Sequence, residues 1–200
     1  RQRQMCIRDR TDILFSEFLQ TGLIYIQTAS SMIPAKVLGP DAGDHVLDMC
    51  AAPGSKTTHI AALMGNRGSI DAWDVYPHKV KLIKDNAKRL GISIIHTEVR
   101  DSVKPLPFLY ETYDKVLLDA PCSGLGVLGH KVELRWRRKE SDLSVFPPLQ
   151  KQLIEQAAKY TKTGGVLVYS TCTLNPDENE HIINEFLSLH SEFAPEEFNF

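Results

Sequence analysis

A doubly wound α/β fold with a mostly parallel sheet is what this sequence predicts, on three observations. Short apolar runs of strand type alternate with segments of helical period along nearly the whole chain. The helical segments stop at glycines, namely Gly39, Gly91 and Gly164-Gly165. Two apolar runs, Val116-Leu117-Leu118 and Val166-Leu167-Val168-Tyr169, lead directly into thiol-bearing segments. These are Asp119-Ala120-Pro121-Cys122-Ser123-Gly124 and Ser170-Thr171-Cys172-Thr173. Parallel strands of an open sheet deliver their carboxyl ends to one crevice. Both thiols and Asp119 are therefore expected in the same cleft.

The elements follow in order. Ile24-Tyr25-Ile26 reads as a short strand, and Ser30 to Leu38 as a helix ended by Gly39-Pro40. His45 to Met49 is the first core strand, followed by a Pro-Gly turn and a helix from about Lys56 to Leu63. Gly68 to Trp73 gives the second strand, ending at Asp74. Pro77 to Leu90 is an amphipathic helix, with Val80, Ile83, Ala87 and Leu90 at helical spacing. Ile92 to Thr97 and Tyr113 to Leu118 supply the third and fourth strands. Leu149 to Tyr160 is a helix closed by Thr163-Gly164-Gly165, before a fifth strand over Val166 to Ser170. Asn175-Pro176-Asp177 opens a last helix running to about Leu189, with acids near its positive end. A further strand is expected to begin around Phe193.

The first ten residues, Arg1 to Arg10, have neither period and carry many charges. They resemble translated adaptor read-through and are read as a non-native or disordered tail. Residues 11–200 then form a single catalytic domain, expected to be incomplete at its carboxyl end.

Composition narrows the functional classes. The chain has 200 residues, 42% of them hydrophobic, which is enough for one core. A net charge of -2 excludes a strongly basic nucleic-acid wrapper but leaves room for a local patch such as Arg135-Trp136-Arg137-Arg138-Lys139. That run would grip RNA phosphates and stack a base, or be a solvated loop face. No apolar run approaches the roughly 20 residues of a membrane span, and no secretion signal is evident, so a cytoplasmic protein is expected. The four cysteines are widely spaced and read as reduced thiols, with no zinc spacing.

A ligand cradle is expected where a strand, the turn Cys50-Ala51-Ala52-Pro53-Gly54-Ser55-Lys56-Thr57 and a helix follow one another. The turn lacks the first glycine of a phosphate loop and the three-glycine fingerprint of dinucleotide binders. Asp74 lies about 20 residues on, where a ribose diol is held in related sheets. Asp101 follows the third strand, where a carboxylate would meet an adenine amino group. Alternative roles are a helix cap for Asp74 and a loop turn for Asp101. Lys56 would pair with the carboxylate of an amino-acid cofactor or be solvated. Trp73 and Tyr76 would flank adenine, although Trp73 also suits the core. Two thiols and a carboxylate suit covalent attack on an electron-poor ring, followed by proton handling.

These segments resemble the Sun/NOL1/NOP2 family of RNA cytosine-C5 methyltransferases over about Gly22 to His190. The likeness rests on Val46-Leu47-Asp48-Met49-Cys50-Ala51-Ala52-Pro53-Gly54-Ser55-Lys56-Thr57 together with the two thiol segments. It implies a Rossmann-like class I S-adenosylmethionine-dependent methyltransferase, its last strands truncated. S-adenosylmethionine would be held by Cys50, Ala51, Ala52, Pro53, Gly54, Ser55, Lys56, Asp74, Asp101 and Asp119. Cys172 would be the nucleophile and Cys122 would assist release of the methylated product. The residues alone leave these two roles interchangeable, because the Pro-Cys thiol is the attacker in DNA cytosine methyltransferases. Asp119 would hold the N3 and amino edge of the cytosine. Small-subunit ribosomal RNA is the expected partner, with no metal and no membrane.

The chain departs from the family pattern in places. Ser55 replaces a second glycine, Thr28 replaces an acid in Gln27-Thr28-Ala29-Ser30, and Lys79 stands where arginine is common. His130-Lys131-Val132-Glu133 lacks a proline common there. The family's amino-terminal RNA-binding domain, similar to the antiterminator NusB, is not recognised in the sequence. Three other readings suit the residues less well. A nicotinamide-dependent oxidoreductase would want the missing glycine fingerprint. A silent RNA-binding domain would have no need of Cys172 and Asp119. An adenine amino-methyltransferase would carry Asn/Asp-Pro-Pro-aromatic in place of Asp119-Ala120-Pro121-Cys122.

Overall fold

The structure, a computed structural model, describes residues 16–129, 136 and 140–198. The expected tail with Cys6, the segment His130 to Glu133, and all of the basic run except Trp136 lie outside the described residues.

The strands are β1 (His45–Asp48), β2 (Ser69–Asp74), β3 (Ile95–Val99), β4 (Tyr113–Asp119) and β5 (Thr161–Ser170). They form one sheet in the order β3-β2-β1-β4-β5, every pair parallel. The central strands are buried on both faces, and so they read as continuous apolar runs rather than alternating ones. Val46, Leu47, Val116, Leu117 and Leu118 are all fully buried.

The helices are α1 (Ala29–Leu38), α2 (Ser55–Leu63), α3 (Pro77–Arg89), α4 (Phe146–Tyr160) and α5 (Glu180–Leu189). Alternate strand residues sort them into two layers. Leu47, Val116 and Leu118 pack with Leu153 and Ala157 of α4 and Ile182 and Phe186 of α5. Val46, Ile70 and Leu117 face the other way, onto Ala35 and Leu38 of α1 and Ile60 and Ala61 of α2. Ile83 of α3 packs with Ala51 and Ala72. The result is the predicted doubly wound fold. The direction in which successive strands are added reverses between β1 and β4, which makes a topological switch point there.

Several boundaries differ from expectation. Ile24-Tyr25-Ile26 is not a strand. Its surroundings are held instead by Arg89, which donates to the Leu19 carbonyl at 2.7 Å and lies 5.7 Å from the Tyr25 ring centre. The third strand begins at Ile95, because Ile92 N–H still closes the α3 turn on the Ala87 carbonyl at 2.9 Å. β5 starts at Thr161, so the expected stop at Gly164-Gly165 lies inside the strand, at a register shift opposite Tyr113 and Lys115. Gly165 is needed there, since a Cβ would come 2.8 Å from the Asp114 carbonyl oxygen.

The last helix is preceded by a separate 3-10 turn, Pro176–Glu178, because Asn175 accepts the Asp177 N–H at 3.2 Å. No strand begins near Phe193 among the described residues. Its ring packs instead against Phe186, with centres 5.2 Å apart. A cleft along the outer edge of β5 is lined by α5 and the following tail, and neither thiol lines it. Among the described residues, no helix is long and apolar enough to cross a membrane.

Candidate active site

β4 and β5 end side by side, with Asp119 opposite Ser170. Just beyond, the sulfurs of Cys122 and Cys172 lie 3.1 Å apart. The Cys172 N–H also donates to the Cys122 sulfur at 3.3 Å, and Gly126 N–H donates to the Cys172 carbonyl at 3.0 Å. A Cβ at Gly126 would come 2.9 Å from that same carbonyl oxygen, so the two thiol loops can touch only because this residue is glycine. The two thiols share one cleft, as the strand-end argument requires. Cys172 is exposed and Cys122 is half-buried. Hydrogen bonding to the Cys172 sulfur, and then burial, push the Cys122 thiol up.

Asp119 stands beside this pair with both oxygens engaged. Lys56 donates to one at 2.6 Å and the Ser170 hydroxyl to the other at 2.8 Å. Lys56 is therefore not a solvated first-turn lysine. It carries the positive end of α2 across to the end of β4, where its charge offsets the carboxylate.

The expected cofactor segments converge on the neighbouring strand ends. The Ala51 N–H donates to the Trp73 carbonyl at 2.8 Å, which locks the turn to β2. Arg100 N–H donates to the Asp74 carbonyl at 3.0 Å, and the buried Ser102 hydroxyl donates to the Met49 carbonyl at 2.7 Å. Cys50 to Lys56, Asp74 and Asp101 thus lie along one edge. Gly54 opens α2 with φ 98°, a left-handed conformation that favours glycine.

Of the alternative roles, the loop turn of Asp101 is present and the helix cap of Asp74 is not. Asp74 is buried and accepts the Tyr76 N–H at 3.0 Å, in a turn rather than as the cap itself, which is Tyr76. Asp101 accepts the Val103 N–H at 3.3 Å, with Lys104 3.8 Å away. This donor set fits a nucleoside. Carboxylates at adjacent strand ends accept hydroxyl and amino hydrogens, and a small-residue turn at a helix N-terminus offers backbone N–H groups.

Trp73 belongs to the core. It is 2% exposed, with Arg100 stacked 4.9 Å from its ring centre. Tyr76 is exposed, and Lys79 caps its ring at 4.7 Å. Cys50 packs against the core, and burial, then Asp48, Asp74 and Asp119, raise its thiol, leaving it unreactive. Trp136 is 88% exposed.

Three buried polar residues escaped sequence reading. Asp48 ends β1 and is 1% exposed, accepting the Thr57 hydroxyl at 2.7 Å on one oxygen. Its other oxygen has no partner among the described residues, and burial pushes its carboxyl up to about 7. A lone acid within the apolar run Val46-Leu47-Asp48-Met49 was the available signal. Glu178 and Gln150 are both fully buried. Glu178 was hidden among acids that suit a helix start, and Gln150 among the polar residues of an amphipathic helix. No cluster of His, Cys, Asp or Glu that could hold a metal ion occurs among the described residues.

Comparison with known proteins gives consistent matches. Residues 35–200 match the family described as 16S rRNA methyltransferase RsmB/F. The chain is 44% identical over 182 residues to a Bacillus subtilis (strain 168) protein named "Probable ribosomal RNA small subunit methyltransferase B", covering 90% of this chain and 41% of that protein. It is 43% identical over 169 residues to the mouse (Mus musculus) tRNA (cytosine(72)-C(5))-methyltransferase NSUN6, covering 78% of this chain and 35% of that one. The crystal structure of NSun6 from Pyrococcus horikoshii with SFG, an S-adenosylmethionine analogue, superposes with a TM-score of 0.81 at 39% identity. That match covers 88% of this chain and 44% of the other. The chain thus spans about two fifths of the length of these proteins.

Proposed function

Because this chain belongs to the 16S rRNA methyltransferase RsmB/F family, we propose that it methylates C5 of cytosine in RNA, through a covalent cysteine adduct. Small-subunit ribosomal RNA is the proposed substrate, in keeping with the names of the bacterial relatives. The observation that carries the reading is the 3.1 Å approach of two sulfurs from separate strand ends, beside an acid-lysine pair.

S-adenosylmethionine, held by Cys50 to Lys56, Asp74, Asp101 and Asp119, supplies an electrophilic methyl group when bound. The chain's own residues do the rest. The Cys172 thiolate adds to C6 of the cytosine, forming a sulfur–carbon bond and moving the ring π pair towards C5. C5 then carries nucleophilic electron density and accepts the methyl group. Loss of the C5 proton to a base lets the sulfur–C6 bond break, returning the thiolate and restoring the aromatic ring. Cys172 is assigned the attack because it is the exposed thiol, whereas Cys122 is half-buried beside it. Cys122 is then in place to serve the release step. Asp119, fixed by Lys56 and Ser170, faces the N3 and amino edge and accepts from the exocyclic amino group, where uracil presents a carbonyl oxygen. The target base must leave its stack to reach the thiols.

The test uses the full-length protein with methyl-labelled S-adenosylmethionine and unmodified small-subunit ribosomal RNA, with bulk transfer RNA in parallel. Cys172→Ala should yield no 5-methylcytosine, and Cys122→Ala should leave protein trapped on RNA. The reverse pattern would make Cys122 the attacker. Label only in transfer RNA would move the substrate assignment. Cofactor binding without product on either RNA would favour a silent RNA-binding domain.

A further inference from the structure

Glu178 and Gln150 bracket Cys122 from both sides. The Gln150 side chain donates to the Pro121 carbonyl at 2.9 Å, and the Ser123 N–H donates to Glu178 Oε2 at 2.8 Å. The two anchors are themselves joined, because Gln150 Nε2 donates to the same Glu178 oxygen at 3.1 Å. The other Glu178 oxygen accepts the Asn175 side-chain N–H at 3.1 Å. Asn175 belongs to the Cys172 loop, and its backbone N–H donates to the Thr173 hydroxyl at 3.2 Å. That hydroxyl meets the Ser123 hydroxyl at 2.7 Å, which closes the ring of contacts between the two thiol loops. Asn179 adds a brace, donating to the Thr173 and Asn175 carbonyls at 3.1 Å each.

We infer that Glu178, acting with Gln150, is the positioning residue that holds Cys122 in register with Cys172. The inference rests on the proposed roles of the two thiols. Three N–H donors converge on one buried carboxylate, from Ser123, Gln150 and Asn175. Both of its oxygens accept, an arrangement that suits a carboxylate with donors on two sides. An amide of identical shape offers one accepting oxygen and turns an N–H towards donors on its other side. Substitution by glutamine therefore breaks the clamp without opening a cavity. Glu178 touches no reacting atom. It acts through the loop backbone on either side of Cys122.

The experiment compares wild type, Glu178→Gln and Gln150→Ala in the full-length protein, with three readouts. The first needs no RNA. Diamide takes two electrons and two protons from the thiols as the Cys122–Cys172 sulfur–sulfur bond forms, and mass spectrometry follows the rate. Both variants should close the bond roughly tenfold more slowly, the scale of one lost hydrogen bond to a charged group. The second readout is S-adenosylmethionine affinity, expected unchanged because Cys50 to Lys56, Asp74 and Asp101 lie at other strand ends, and Asp119 is held by Lys56 and Ser170 rather than by the clamp. The third is methyl transfer to unmodified small-subunit ribosomal RNA. Here kcat should fall roughly tenfold with the KM for S-adenosylmethionine unaltered, and the RNA adduct should accumulate as in Cys122→Ala. Gln150→Ala removes the Pro121 anchor and one of the three donors to Glu178, and it decides the matter if Glu178→Gln does not fold. Wild-type rates of disulfide closure in the folded variants would overturn the inference. So would a parallel loss of cofactor affinity and thiol proximity, the mark of a purely structural carboxylate. An inactive wild type on every RNA would sink the proposed reaction, while the diamide rates would still judge the clamp.

Discussion

Lys56 donates to Asp119 at 2.6 Å, tying the first turn of α2 to the end of β4. The pair is partly buried, with side-chain exposures of 17% and 29%. Removing the ammonium leaves the carboxylate with the Ser170 hydroxyl alone. A hydrogen bond to a charged group contributes about 1.5–3 kcal/mol. Lys56→Ala should therefore lower kcat/KM by about 10- to 100-fold, read from initial rates of methyl transfer. Wild-type rates in that variant would mean that Asp119 needs no partner.

Asp48 gives a pH dependence with a defined sign. Burial raises its carboxyl to about 7, against the hydrogen bond from Thr57 that lowers it. The folded value lies above the unfolded one, so the contribution of the neutral acid is full below the unfolded value, about 3.9. It is lost as the pH rises through about 7. Asp48→Asn cannot ionise and keeps an acceptor for the Thr57 hydroxyl. The melting temperature of the variant should gain on that of wild type as pH rises from about 5 to 8. Parallel curves would show that Asp48 is not the titrating group.

Gly54 should resist substitution. Its φ of 98° is unfavourable for any side chain, and a Cβ would come 3.2 Å from the Ile83 Cα in α3. Gly54→Ala is expected to cost about 1–3 kcal/mol in strain and to weaken S-adenosylmethionine binding. Thermal unfolding and calorimetric titration read the two effects separately. An alanine variant matching wild type in both would place the turn outside the cofactor site.

Trp73 and Tyr76 divide the core from the surface. Trp73 meets Tyr160 and Tyr113 edge-on, at ring-centre distances of 5.6 and 6.4 Å. Trp73→Ala should destabilise the fold by about 3–5 kcal/mol, measured by chemical denaturation. Tyr76→Ala, at an exposed position, should stay within about 0.5 kcal/mol of wild type. Comparable losses from both would contradict this partition.

The sheet was legible because its central strands carry continuous apolar runs, and because α1 stops at Gly39 and α3 just before Gly91. The thiol cleft was legible because Cys122 and Cys172 each terminate such a run. What the sequence concealed depends on long-range pairing. Ile24-Tyr25-Ile26 has strand composition, yet the Arg89 side chain supplies its neighbourhood with the donor that a strand would have given. Thr161 to Gly165 looked like a turn because its glycines serve a bulge rather than a stop. Glu178 and Gln150 were invisible for a related reason. Each has the composition of a surface position, and only the packing of α4 against the 3-10 turn Pro176–Glu178 buries them together.

The reversal of strand order between β1 and β4 has a consequence for access. From β1 the chain winds outward through β2 and β3, and from β4 it winds outward through β5. The connections leaving these two central strands therefore part from each other above the carboxyl edge of the sheet. Neither needs to arch over the gap where Lys56 reaches Asp119. On the proposed reaction, a nucleotide swung out of an RNA strand would enter beside that gap, between the two diverging connections. In this protein the doorway comes from the order in which the strands were laid down.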